Sequence, residues 1–363
     1  MLCLGIESTA HTIGAGVCES GKNGRLEILS SSLDMYKPIN EGIVPRKAAD
    51  HHEEYLPLVL KDALGEAGVK AREIDAFAFS QGPGIGQCLR VSCAGAKYLA
   101  AKHGRPIIGV NHCKAHLEIT KWHCGLKSPA YLYVSGGNTQ IIIESEPKAG
   151  NAKKAYLAKA TAGHGMKING AGHALNGKLG NGNQLTAYHV LGETLDIGIG
   201  NLFDTFGRSI GLEHAHGSVV ARLATQGKKY IELPYNVKGT NMQFSGLLTA
   251  ASRLAGKETK EDLSYSVMET AFSVACEALE RCAYLSGKKE ITVCGGVAQN
   301  GRLCEMLAIM AKENGWKFAV APAQYNRDNG AMIALAGMKQ FLSGKTLEMA
   351  DAKPRQDWRI DQD

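Results

Sequence analysis

The sequence predicts an α/β protein made of two duplicated lobes with a central cleft, and three observations carry that expectation. A chain of 363 residues is long enough for about two domains of roughly 150 residues, with a core that needs no metal or disulfide merely to fold. Short apolar runs of strand type alternate with segments of helical periodicity. The same opening, a strand, a polar turn and a second strand, occurs at 2–18 and again at 131–143. The first lobe is expected at 1–130 and the second at 131–346, with a helix at 331–342 as a candidate to pack back on the first lobe and a polar tail at 347–363.

In chain order, 2–6 is a short apolar strand running into Glu7, Ser8 and Thr9, and 12–18 alternates small and apolar residues as a second strand. From 51 to 68, Leu56, Leu58, Val59, Leu60, Ala63 and Leu64 recur at helical spacing. A buried strand is expected at 74–79, followed by a Gly-Pro-Gly-Ile-Gly turn at 82–86 that opens a helix to about 102. The strand at 106–110 leads into a helix beginning near Asn111. Strand 131–134, a Ser-Gly-Gly-Asn-Thr turn and strand 140–143 open the second lobe. Residues 147–187 hold eight glycines, six lysines and no acidic residue, which predicts a flexible cationic loop, either an arm for nucleic-acid phosphates or a plain spacer. Order resumes at Leu191, with helices expected at 265–286 and 331–341.

Composition narrows the function. At 44% hydrophobic and 21% charged the chain is not largely disordered, and a formal charge of +6 permits an RNA partner without demanding one. No run of 18 apolar residues exists to span a membrane, and the start, MLCLGIESTA, lacks the basic region of a secretory signal. Ten cysteines without a C-x-x-C pair predict reduced, packed thiols and a cytoplasmic location.

The sharpest chemical signal is His112 and His116, four residues apart on an expected helix and so on one face of it, within reach of one metal ion. Imidazoles suit Zn, Fe or Ni. Asp328, just before the helix at 331, is either a third ligand or that helix's N-cap, and Cys113 reads as packing. Four turns after apolar strands, at 7–9, 82–86, 135–138 and 295–297, are candidates to hold phosphate, and glycine is abundant at about 12% against roughly 7% on average. Together they predict a nucleotide cleft, although none is a G-x-x-x-x-G-K-[ST] loop.

Eleven motifs now stand in order: GIESTAHT at 5–12, PRKAADHHEE at 45–54, SQGPGIGQCLR at 80–90, GVNHCKAHLEI at 109–119, YVSGGNTQ at 133–140, GETLDIGIGN at 192–201, LPYNVKG at 233–239, FSGLLTAA at 244–251, ETAF at 269–272, GGVAQNGRL at 295–303 and DNGAMIA at 328–334. With them the chain resembles the archaeal and eukaryotic tRNA N6-adenosine threonylcarbamoyltransferase family, the catalytic subunit of the KEOPS complex, once labelled O-sialoglycoprotein endopeptidase. The resemblance implies an actin/hexokinase-like fold. It also implies transfer of a threonylcarbamoyl group from threonylcarbamoyl-AMP to N6 of the adenosine 3′ to the anticodon in tRNAs reading ANN codons. It implies His112, His116 and Asp328 as ligands of one divalent ion, Fe2+ first and Zn2+ or Mg2+ as alternatives. It places Tyr133, Val134, Ser135, Gly136, Gly137, Asp204, Gly217 and Asn300 around the adenylate, or ATP or AMP, with Tyr133 and Ser135 at the reacting centre. Expected partners are tRNA, a small kinase/ATPase-like subunit and a small dimerising subunit.

The chain departs from the family pattern at several points. Ala221 stands where the family has a nucleotide-contacting Glu, Asn241 where an acid is usual, and EHAHGSVVA at 213–221 replaces PHPGGPxIE, which predicts weaker ribose contacts. Glu7 and His11 are the candidates for a general base. Two rival readings are a non-catalytic nucleotide-binding scaffold of the same complex and a metalloprotease, the latter without H-E-x-x-H or a glutamate between the histidines.

Overall fold

The computed structural model describes residues 1–37, 42–145 and 187–362, so the expected cationic loop lies outside the described residues but for its last position. The first sheet contains β1 (Leu2–Glu7), β2 (Thr12–Ser20), β3 (Leu26–Met35), β4 (Ala76–Gly82) and β5 (Ile107–Asn111), in the order β3-β2-β1-β4-β5. β1 and β2 pair antiparallel, as do β2 and β3, while β1, β4 and β5 run parallel. The second sheet contains β6 (Ala130–Val134), β7 (Thr139–Ser145) and β8 (Ala187–Glu193). After a two-stranded ribbon, β9 (Val237–Lys238) and β10 (Asn241–Met242), come β11 (Glu290–Cys294) and β12 (Lys317–Val320). Its order, β12-β11-β6-β7-β8, and its strand directions repeat the first sheet strand for strand. The duplication read from two hairpins therefore extends to both whole sheets.

Alternation along β1 sorts its side chains by face. Leu4 and Ile6 join the core under α1 (Pro45–Glu66) and α2 (Gly86–His103), while Cys3 joins the core on the opposite face. That opposite core is built by α3 (His112–Cys124) and by the last helix of the chain. The helices on the second sheet are α4 (Ile199–Ser209), α5 (Gly217–Ala224), α6 (Ser245–Arg253), α7 (Lys260–Ser286) and α8 (Gly301–Glu313). The one-turn α9 (Ala323–Asn326) then leads to α10 (Gly330–Leu342), the last helix, which crosses the first sheet at backbone contact: a Cβ on Gly5 would fall 2.2 Å from Ala334 N, and one on Gly16 2.5 Å from Ala331 N.

α1 starts six residues before position 51, with Pro45 in the first turn where its missing N–H is harmless. β3 escaped the sequence pattern because it is a serine-rich edge strand with one half-solvated face. The tail after α10 lies along the β5 edge, Leu347 N–H donating to Ile107 O at 2.9 Å and Arg355 N–H to Gln81 O at 2.7 Å. A small core between the lobes joins Cys113 and Leu117 of α3, Tyr131 and Tyr133 of β6, Tyr188 of β8, Cys294 and, from the tail, Ile360. Among the described residues no helix is long and apolar enough to cross a membrane, and all ten cysteines are free thiols.

Candidate metal and nucleotide site

The fifth strand of each sheet feeds this site. β5 ends at Asn111, whose side chain caps α3 by accepting from Lys114 N–H at 3.1 Å, so His112 is the first helical residue and His116 stands one turn on. β12, through α9, delivers Asp328 at the matching place in the other lobe. Asp328 Oδ1 lies 3.2 Å from His116 Nε2 and 3.5 Å from His112 Nε2, and one ligand atom from each of the three residues falls within 4.8 Å of the others. The N-cap reading of Asp328 does not hold, because Asn329 caps α10 by accepting from Met332 N–H at 2.8 Å. Cys113 packs between the lobes.

Electrostatics tie the three together. Burial opposes charge on His112, but Glu7 and Asp328 outweigh it and push its pKa up to about 9. Burial lowers that of His116. Burial also opposes charge on Asp328, yet the two histidines hold it well below the carboxylate range. Two imidazole nitrogens and a carboxylate oxygen from two lobes fit a divalent ion of the Fe2+ or Zn2+ kind better than Mg2+, which prefers oxygen. His116 Nδ1 is buried without a hydrogen-bond partner among the described residues. Tyr133 is buried with its ring 5.7 Å from that of His116, and burial drives its hydroxyl well above the usual phenol range.

The four candidate turns divide. Ser8 and Thr9 are buried, Ser8 Oγ donating to Cys88 O at 2.7 Å. The 82–86 turn is filled by its own neighbours: a Cβ on Gly82 would sit 1.8 Å from Arg355 O and one on Gly84 2.6 Å from Thr9 O. These first-lobe turns are therefore structural, a correction to the four-turn cleft. At 135–138, Ser135 N–H and Asn138 N–H bond within the turn, to Asn138 O and Ser135 Oγ, which leaves the amides of exposed Gly136 and Gly137 without an acceptor among the described residues. Gly198 and Gly200 cradle this turn, since a Cβ on either would fall under 3 Å from the 136–137 backbone. The fourth turn sits beside it, Gly295 lying against Val134 O, while Gly296 opens to solvent.

Asp204 and Gly217 meet directly, Gly217 N–H donating to Asp204 Oδ1 at 2.8 Å, and burial raises the Asp204 pKa. His11 acts electrostatically on both Asp204 and Asp328. Asn300 caps α8, accepting from Arg302 and Leu303 N–H. Ala221 packs half-buried on α5, and Asn241 Oδ1 accepts Glu193 N–H at 3.0 Å. Sequence reasoning missed the cradle at Gly198 and Gly200; the Gly-Ile-Gly spacing was the available signal.

The family profile of TsaD, tRNA N6-adenosine threonylcarbamoyltransferase, matches residues 26–163 and 173–335. The chain is 43% identical over 364 residues to the tRNA N6-adenosine threonylcarbamoyltransferase of Thermococcus gammatolerans, covering 100% of this chain and 98% of that one. It is 41% identical to the probable bifunctional tRNA threonylcarbamoyladenosine biosynthesis protein of Thermoplasma volcanium, covering all of this chain and 60% of that protein. Among solved structures, full-length HypF in its phosphate- and nucleotide-bound form superposes with a TM-score of 0.57 at 14% identity, over 96% of this chain and 47% of that one. HypF of T. kodakarensis gives 0.55 at 14% identity, over 94% and 48%. At that identity the likeness speaks for the fold, which is actin/hexokinase-like. The sequence matches speak for function, and the chain belongs to the tRNA N6-adenosine threonylcarbamoyltransferase family, transferases of tRNA modification.

Proposed function

We propose that the cleft transfers the threonylcarbamoyl group of threonylcarbamoyl-AMP to N6 of the adenosine 3′ to the anticodon in tRNAs reading ANN codons. The observation that carries this reading is the convergence of His112, His116 and Asp328, with Tyr133 against His116 on the strand that leads to the exposed Gly136 and Gly137, in a chain of this family. In the reaction the N6–carbon bond forms, the bond from the carbamoyl carbon to the phosphate oxygen breaks, AMP leaves and N6 gives up one proton. A mixed anhydride already carries a good leaving group, so orientation and charge stabilisation are the main demands. His112, His116 and Asp328 would hold a divalent cation, Fe2+ or Zn2+, which would supply Lewis acidity there. In this reading the Gly136 and Gly137 amides take anionic oxygens of the adenylate, Ser135 holds their turn, and Asp204 with Gly217 belongs to the same nucleotide site. Glu7 is fully buried on His112 and cannot reach tRNA, which leaves His11 as the general-base candidate. The reading includes a cytoplasmic enzyme working with tRNA and with separate kinase/ATPase-like and dimerising subunits; relatives with bifunctional names support a second activity acting beside this one.

The test supplies the full chain, with those subunits, with threonylcarbamoyl-AMP and unmodified tRNA, and reads modified adenosine by mass spectrometry of digested tRNA. His112→Ala is expected to lose bound metal and at least about a hundredfold in transfer. Full modification by that variant would make the chain a scaffold, and tRNA-independent cleavage of a protein would restore the protease reading.

A further inference from the structure

The two hairpins occupy equivalent places in equivalent sheets, yet one turn is open and the other is closed. The second-lobe turn exposes Gly136 and Gly137, whereas the first-lobe turn is sealed, with Ser8 N–H donating to Ser80 Oγ at 3.0 Å. What the first hairpin presents is the side chain of Glu7, the last residue of β1 and wholly buried. Its Oε1 accepts Thr9 N–H at 2.6 Å, and its Oε2 lies 3.1 Å from His112 Nδ1. Thr9 Oγ1 lies 3.2 Å from the same nitrogen. Thr9 is itself pinned from behind, its carbonyl accepting Ile85 N–H at 2.8 Å against Gly84, so the carboxylate has little freedom.

A carboxylate offers only acceptors, so a histidine bonded to it through Nδ1 carries its proton there and turns the Nε2 lone pair outward. For His112, outward is toward Asp328 Oδ1 and His116. We propose that Glu7 is a positioning residue that fixes the tautomer and ring orientation in which His112 Nε2 is a metal ligand. The inference rests on the metal reading of His112, His116 and Asp328 given above. It also gives the closed first-lobe turn a role: that hairpin holds His112 through Glu7, while its twin exposes Gly136 and Gly137.

The test titrates Co2+, whose visible absorption reports ligand geometry, into the metal-free full chain, Glu7→Gln and His116→Ala. The native chain is expected to bind Co2+ with a ligand-field band, and His116→Ala to lose it. Glu7→Gln is expected to bind roughly 10- to 100-fold more weakly with an altered band, while AMP affinity stays within about twofold. If the native chain takes up no Co2+, the metal reading falls and this inference with it. If native and His116→Ala behave as expected but Glu7→Gln binds like native, the metal reading stands and this inference is overturned, even where thermal stability has dropped. Should Glu7→Gln fail to fold, the Zn2+-loaded native chain labelled with 15N-histidine decides the matter. A His112 proton on Nδ1, assigned with His112→Gln, supports the proposal, and one on Nε2 overturns it.

Discussion

At the scale of single residues, neighbours of like type take opposite roles for reasons that lie in tertiary structure. Asp328 and Asn329 both suit an N-cap, and only the second caps α10, because the approach of α3 gives the first a pair of imidazoles to face. His51 and His52 divide in the same way. His51 Nε2 reaches Asp34 at 2.9 Å, while His52 is buried, its Nε2 donating to Ala10 O at 3.0 Å just before His11. Burial lowers the His52 pKa from 6.5 to about 4. Above pH 6.5 both folded and unfolded chains keep it neutral, so it contributes no pH dependence there. Between pH 6.5 and pH 4 the unfolded chain gains a proton that the folded chain refuses, so stability falls as pH falls. Urea unfolding of the native chain is expected to lose about 2 kcal/mol more between pH 7 and pH 4.5 than His52→Gln, which keeps the donor to Ala10 O. Equal losses would mean that His52 takes up its proton at an ordinary pH inside the fold.

At the scale of elements, local pattern sufficed where an element is buried and failed where it is an edge or is defined by a distant contact. β1, β4 and β5 are apolar runs buried along their length, and α3 starts within a residue of its expected place because Asn111 is both strand end and cap. β3 and β8 are edge strands with mixed polarity, and neither stood out from its surroundings. The histidine pair was legible from its spacing alone. The turn at 82–86 was misread for the opposite reason, since glycine that admits a phosphate and glycine that admits a neighbouring backbone look alike in sequence. Gly82 has φ +149 and no room for a Cβ beside Arg355 O, where Arg355 N–H also bonds Gln81 O. Gly82→Ala is therefore expected to push the tail off the β5 edge and to cost at least about 2 kcal/mol. Limited trypsin digestion followed by mass spectrometry should reveal early cleavage after Arg355 and Arg359 in the variant alone. A tail as protected as in the native chain would show that the backbone there shifts at little cost.

At the scale of the whole molecule, the candidate metal position of His112, His116 and Asp328 lies where the two copies of one topology meet, with α3 and α10 following equivalent strands. Sequence self-similarity covered only the hairpins, because the equivalence of β5 with β12 lies in strand order rather than in residue type. α3 also carries, at its middle, the buried Glu118. Its Oε1 accepts the Tyr188 hydroxyl of β8 at 2.7 Å, and its Oε2 pairs with Lys339 of α10. Burial alone would raise the Glu118 pKa, but Lys339, Tyr188 and Lys114 together hold it below the usual carboxylate range. One side chain thus ties the histidine-bearing helix to an element on each sheet. Removing it leaves a lysine and a tyrosine hydroxyl without their acceptor, so Glu118→Ala is expected to cost about 2 kcal/mol, the Lys339 end being partly solvated. A double-mutant cycle with Glu118→Gln and Lys339→Met separates the link from simple loss of packing. Coupling of at least about 1 kcal/mol in urea unfolding is the expected result. Coupling near zero would mean that the apolar core of Leu117, Tyr131, Tyr188 and Ile360 holds the lobes in register, and that the ion pair only fills the space between them.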